Sequence, residues 1–160
     1  MQAFGLNRPE VCYFYSEVLC VQISSRFTIA VHILECIDYF HDEYIITSEF
    51  LASSVGVNPV IVRQVIIQLK AAGLVDVSRG KAGVNLAVPL EDITLYDVYE
   101  AVESVKGKLF RFHENPSTKC PVGKNIHTAL DGKLDEIQDT LEAKMKTITL
   151  REIASRISTD

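Results

Sequence analysis

Four cations stand close together in an otherwise acidic chain. Arg63, Lys70, Arg79 and Lys81 fall within residues 58–83 against one acid, Asp76, a local excess of three positive charges, while the 160 residues together carry a net charge of -5. Cations gathered in one stretch of an acidic protein suit a localised polyanion rather than a nonspecific coat, and phosphates are the polyanions that demand them. Arg79 and Lys81 belong to the run Arg79-Gly80-Lys81-Ala82-Gly83, which lies between two alternating apolar segments at 74–78 and 84–88. The alternation predicts a hairpin with the cations at its tip, where glycine lets the backbone approach a ligand closely. A narrow minor groove attracts arginine most strongly, and the DNA backbone beside it takes lysine as well. Gln64 next to Arg63 adds a second chemistry. Arginine matches guanine and glutamine matches adenine, each bidentate pair giving about 1–3 kcal/mol of discrimination. Arg63 can equally hold a phosphate, or a carboxylate on its own domain. Taken by itself the hairpin also reads as a solvated turn whose charges only keep it soluble.

The remaining reactive side chains are sparse. Cys120 stands just before Pro121 at an expected helix start, flanked by Lys119 and Lys124, and both surroundings lower a thiol pKa. It reads either as a thiol switch or as a small buried hydrophobe. His113, Cys120 and His127 are spaced H-x6-C-x6-H, which matches no standard zinc pattern, so no metal site is expected. Cys12, Cys20, Cys36 and Cys120 include no CxxC pair, and a chain of this size needs no disulfide staple, which points to a reducing cytoplasm. There is no GxSxG, no phosphate loop, no HExxH and no paired carboxylates in a cleft-like arrangement. An enzyme is not expected. Glu17, His32 and Glu35 interrupt the best apolar runs, so none approaches the roughly 18 residues of a membrane span. The N-terminal segment lacks a secretory cleavage pattern.

These side chains need elements to position them. Residues 24–40 open on serines suited to capping, and Phe27, Ala30, Val31, Leu34 and Ile37 then form a helical stripe. Cys36 reads as core. Residues 47–55 predict a short helix capped by Thr47 or Ser48 and stopped by Gly56. Asn58-Pro59 then starts a third helix, with a capping residue ahead of proline. Its core side is Val62, Val65, Ile66 and Leu69; Val60, Gln64, Ile67, Gln68 and Ala71 face outward, with Arg63 and Lys70 along a rim. Short helix, glycine-containing turn, longer helix with polar residues outward, then a hairpin: this order predicts a winged helix-turn-helix. The helix at 58–72 would enter a major groove while the wing at 79–83 reaches the adjacent backbone or minor groove. A further helix is expected over 92–105, capped near Thr94. An irregular loop follows at 107–120. A long helix then runs from Pro121 to about Lys146, with Ile126, Leu130, Leu134, Ile137, Leu141 and Met145 in a near-heptad seam that asks for a long partner or for packing along its own domain. A short helix, 149–157, ends the pattern.

The segments QISSRFTIAVHIL, LASSVGVNPVIVRQVIIQLKAAGLV and SRGKAGVNLAVPLEDITLYDVYEAVE, with the later CPVGKNI and TITLREI, resemble the Rrf2 family of bacterial transcription regulators in order over residues 22–157. The resemblance implies a mainly α fold with a small β-hairpin wing, a long C-terminal dimerisation helix carrying the seam, and a homodimer on partly palindromic operator DNA. It places base-reading positions at Asn58, Val60, Ile61, Arg63 and Gln64, and it makes Arg79 the wing arginine. It also puts a sensor in the loop that holds Cys120. Iron–sulfur members carry three cysteines in that loop and the start of the long helix. This chain has Cys120 alone there, and His113, Glu114 and His127 do not rebuild the pattern, so it resembles a single-cysteine subgroup and no cluster is expected.

The resulting division is an N-terminal extension at 1–21, a winged helix-turn-helix at 22–90, a linking helix and sensor-type loop at 91–120, and a dimerisation helix with a short final helix at 121–160. The extension lies outside the family pattern. Val21 is expected to mark a natural start encoded by an alternative codon, or else residues 1–20 form an extra element packed on the dimer. The function expected is a dimeric sequence-specific regulator in the cytoplasm, a repressor if it simply covers its operator. A winged-helix module that binds another protein without specific DNA binding is the competing reading.

Overall fold

The structure is a computed structural model that describes residues 24–77, 83–102, 109–110 and 112–157. Helix α1 spans Ser25–Phe40 and begins where Ser24 adopts extended backbone and its hydroxyl accepts a hydrogen bond from the Arg26 N–H at 3.2 Å. Ala30, Leu34 and Ile37 of the expected stripe are fully buried, Phe27 and Val31 pack half-buried against them, and Ile33 and Cys36 join. The buried face is wider than the stripe because α1 is the central element, touched by α2, α3, α4, β2 and α6.

Helix α2, Ser48–Val55, is capped by Thr47, whose hydroxyl accepts from the Phe50 N–H at 3.1 Å. Gly56 ends it at φ 74°, donating its N–H to Ala52 O at 2.9 Å. A left-handed residue is needed there, and glycine takes it without steric cost. Two residues later Asn58 Oδ1 accepts from the Val60 N–H at 2.8 Å, and Pro59 opens α3, Pro59–Ala71. The bend between α2 and α3 is 111°, within the range of a helix-turn-helix. Val62, Val65, Ile66 and Leu69 of α3 are buried as their spacing predicts.

The hairpin comprises β1, Val75–Val77, and β2, Val84–Leu86, antiparallel with Val75 opposite Leu86 and Val77 opposite Val84. Both strands are shorter than the alternating segments, although Ala87 N–H to Leu74 O at 3.0 Å continues the ladder by one bond. The wing root is fixed to the body where the Val84 N–H donates to Ile46 O at 2.9 Å. Its tip, 78–82 with Arg79 and Lys81, lies outside the described residues, as does the extension at 1–21.

Beyond the wing the sequence reading needs correction. A 3-10 turn at Leu90–Asp92 comes first, and α4 begins at Leu95, running to Val102. The reason is a reciprocal cap at Thr94. The Asp97 N–H donates to Thr94 Oγ1 at 3.3 Å, and the Thr94 N–H donates back to Asp97 Oδ2 at 2.7 Å. Thr94 is therefore extended and free to pair with Thr149, flanked by Leu95 N–H to Ile148 O and Leu150 N–H to Ile93 O, both 2.9 Å. Helix α5, Pro121–Met145, extends about 37 Å and packs mainly on α4. Helix α6, Leu150–Ala154, is shorter than expected and belongs with the winged body rather than with α5. Leu150 is fully buried in the central core, and α6 rests on the 3-10 turn and α1. Among the described residues no single helix is long and apolar enough to cross a membrane.

Candidate nucleic-acid interface

The outward face of α3 combines polar with large apolar side chains. Val60, Ile61, Arg63 and Gln64 are exposed, and Ile67, at 67% exposure, is the most open large apolar residue of the helix. Asn58 is exposed as well, but its carbonyl oxygen is engaged in the helix cap, which leaves the amide NH₂ as its outward group. Gln68 does not share this face. It is half-buried, its Nε2 donates to Val102 O at 3.4 Å, and its Oε1 is buried without a partner, so it joins α3 to α4.

Arg63 is held before any ligand arrives. Its Nε donates to Ser48 Oγ at 3.2 Å and its guanidinium pairs with the Glu49 carboxylate. Glu49 is kept below the usual carboxylate range by its own backbone N–H first and by Arg63 next. The two helices of the helix-turn-helix are thus tied by an exposed ion pair beside the outward face of α3. A carboxylate on its own domain was one alternative the sequence left open for Arg63, and the structure shows it; that the acid is Glu49 was not read because the contact joins residues on different helices, an acid in the first turn of α2 being the available signal. Arg26 was also missed. Its Nη2 donates to Gln64 Oε1 at 3.2 Å, bringing a cation from α1 to a face whose charge was counted only over 58–83. Lys70 leans toward the wing, its Nζ 3.8 Å from Asp76 Oδ1 and 3.5 Å from Val77 O. Ser48, Arg63, Ile67, Lys70, Val77 and Gly83 line a shallow groove between the reading helix and the wing.

At the far end of the chain Cys120 is exposed and caps α5. Its thiol is pushed below the ordinary cysteine range by the backbone N–H groups of Gly123 and Val122; Lys119 and Lys124, expected to act in the same direction, are not among the causes. His113 and His127 meet edge to face with ring centroids 5.1 Å apart, and His127 also packs on Phe112 at 4.6 Å. Among the described residues no three His, Cys, Asp or Glu side chains gather as a metal site. The described donors there are one thiol, Cys120, and two imidazoles that meet edge to face, one of them with a buried unpartnered Nε2. Along α5, Leu130 and Ile137 are exposed, the latter at 53%, while Ile126, Leu134 and Leu141 are half-buried. Met145 differs from the rest of the seam in being buried within the protomer.

The comparisons with known proteins agree on one assignment. The family model described as Rrf2, an iron-dependent transcriptional regulator, matches residues 23–156. A candidate HTH-type transcriptional regulator of Bacillus subtilis, YwnA, is 39% identical over 135 residues, covering 84% of this chain and 98% of YwnA. Among solved structures, a candidate DNA-binding protein is 36% identical with a TM-score of 0.65, covering 80% of this chain and 97% of its own. The B. subtilis global cysteine regulator CymR shares the fold at 20% identity with a TM-score of 0.64, over 86% of this chain and 98% of CymR.

Proposed function

The chain belongs to the Rrf2 family of transcriptional regulators, and from that premise we propose that it is a homodimeric repressor that reads a partly palindromic operator. It is a regulator and not an enzyme. The observation that carries the proposal is the outward face of α3, where Arg63 and Gln64 stand beside exposed Val60, Ile61 and Ile67 on the second helix of a 111° helix-turn-helix. Polar forks match guanine and adenine edges, and exposed aliphatic side chains match thymine methyls. The wing, with Arg79 and Lys81, reaches phosphate or a narrow minor groove. The unpartnered seam Ile126, Leu130, Leu134, Ile137 and Leu141 supports association through α5. A two-fold dimer then presents two copies of α3 to two half-sites.

No iron–sulfur cluster is part of this reading, because residues 107–127 contain one cysteine. Control through the Cys120 thiol is part of it. An exposed thiol with a depressed pKa at the start of the dimerisation helix is reactive, and its modification there would bear on the two subunits' arrangement.

The test separates readers from positioners. Arg79→Ala should weaken binding to nearly all sequences and flatten the salt dependence by about one unit of log–log slope, whereas Gln64→Ala should relax preference at one position in each half-site with the slope unchanged. Fluorescence anisotropy against a set of single-position operator variants distinguishes them. If the two substitutions behave alike, the division between α3 and the wing is wrong.

A further inference from the structure

Between α1, the end of α2 and α6 lies a cavity of about 480 Å³, a size that suits a small organic molecule. Glu35 lines it. Glu35 is 7% exposed, the single charged side chain buried among the described residues, and its Oε1 has no hydrogen-bond partner. A buried carboxylate without a partner is strongly disfavoured and takes up a proton instead. Its pKa is raised to about 7 by burial first and by the nearby Asp38 carboxylate second, with Arg151 opposing.

The other groups facing Glu35 leave that demand unmet. Arg151 is already shared between Asp38 at 3.2 Å and Glu91 at 3.5 Å. Cys36 is an uncharged thiol, its pKa pushed up by burial, and His32 Nε2 and Cys36 Sγ each lie 3.2 Å from Ser54 Oγ. The cavity therefore holds more acid than base. Its remaining walls are mostly hydrocarbon: Tyr39, 58% exposed and edge-on to Phe40 at 4.7 Å, with Ala154 and Ile157, and Ser155, whose hydroxyl already donates to Glu152 O.

We infer that this cavity binds a small primary-amine cation with an aromatic or aliphatic body, the ammonium on Glu35 and Asp38 and the hydrocarbon against Tyr39 and Ile157. An ammonium supplies the donor that Glu35 Oε1 lacks and offsets the repulsion between the two carboxylates. An anion would meet Glu35 and Asp38 with the one guanidinium already occupied. Binding expels the Glu35 proton, so affinity rises with pH through the carboxyl's titration. The inference concerns ligand binding and stands apart from the operator reading. Ser54, on the cavity wall, belongs to the last turn of α2, so an occupied cavity touches the helix-turn-helix directly.

Isothermal titration calorimetry of the full chain with phenethylamine tests it. We expect saturable binding at about pH 8 and roughly tenfold weaker binding at about pH 5.5, where Glu35 is protonated. The neutral isostere 2-phenylethanol and the Glu35→Gln variant should each lose about tenfold or more. Glutamine has the shape of the protonated side chain, so this variant keeps the fold, and thermal melts verify it. Tyr39→Ala, at the exposed rim, should weaken binding severalfold with the pH dependence retained. Absence of saturable phenethylamine binding at about pH 8, equal affinity for 2-phenylethanol, or an unaffected Glu35→Gln variant would each overturn the proposal.

Discussion

Arg63 is held by Glu49 and Ser48, so the proposed role on DNA requires it to exchange a carboxylate for a phosphate or a guanine edge. An exposed ion pair of this kind contributes about 0–1 kcal/mol, which makes the exchange cheap. Glu49→Ala removes both the competitor and a negative charge from the reading face. Stability should change little, because the pair is exposed, while operator affinity should rise roughly severalfold as repulsion from the phosphates falls. Chemical denaturation alongside anisotropy measures both, and an unchanged affinity would mean that Arg63 keeps Glu49 in the complex. Glu35 makes a second prediction at this scale. Its carboxyl goes from 4.5 to about 7 on folding, so between those values the folded chain holds a proton the unfolded chain has released. Stability is therefore lost as pH rises through this interval, and the loss is complete above it. Glu35→Gln abolishes the loss. The variant should match the parent near pH 4 and exceed it by up to ~3 kcal/mol above pH 7 in urea titrations.

At the scale of elements the caps explain why so much was readable. Ser24, Thr47 and Asn58 each satisfy an N–H at a helix start, Gly56 stops α2 in the left-handed region, and the four core positions of α3 repeat at helical spacing. Such signals are local, and local chemistry dictates them. What the sequence did not reveal depends on distant partners: the Thr94–Thr149 bridge that shortens α4 and draws α6 into the core, the turn of Gln68 toward Val102, and the identity of Glu49 as the carboxylate that Arg63 holds. Gly83 illustrates both kinds. Its φ of 67° is a glycine conformation, and a Cβ there would lie 2.6 Å from Ile46 O, next to the hydrogen bond that anchors the wing. Gly83→Ala should cost roughly 2 kcal/mol and loosen the wing. Hydrogen exchange at the Val84 amide should speed up, and DNA affinity should fall even though no DNA-facing side chain is altered. Unchanged exchange would show that the wing is not held at its root.

For the whole molecule the question is how α5 is used. Ile137 is open to solvent in the protomer, whereas Met145 is buried although both continue one sequence stripe. Periodicity identified the stripe but could not show where the protomer's own body takes it over. Ile137→Asp should leave the protomer folded and shift sedimentation velocity toward the monomer. Met145→Ala should instead cost about 2–4 kcal/mol of stability, with association much less affected. If Ile137→Asp sediments like the parent, α5 is not the seam.

Everything proposed for this regulator turns on recognition of operator DNA through α3 and the wing. Fluorescence anisotropy on the DNA immediately upstream of its own gene, against a scrambled duplex of equal length and over a salt series, tests it most directly. Binding should be tighter for the native sequence and fall linearly in log Kobs against log salt, with the Arg79→Ala slope shallower by about one unit. Equal affinity for both duplexes, or no binding even at low salt, would contradict it.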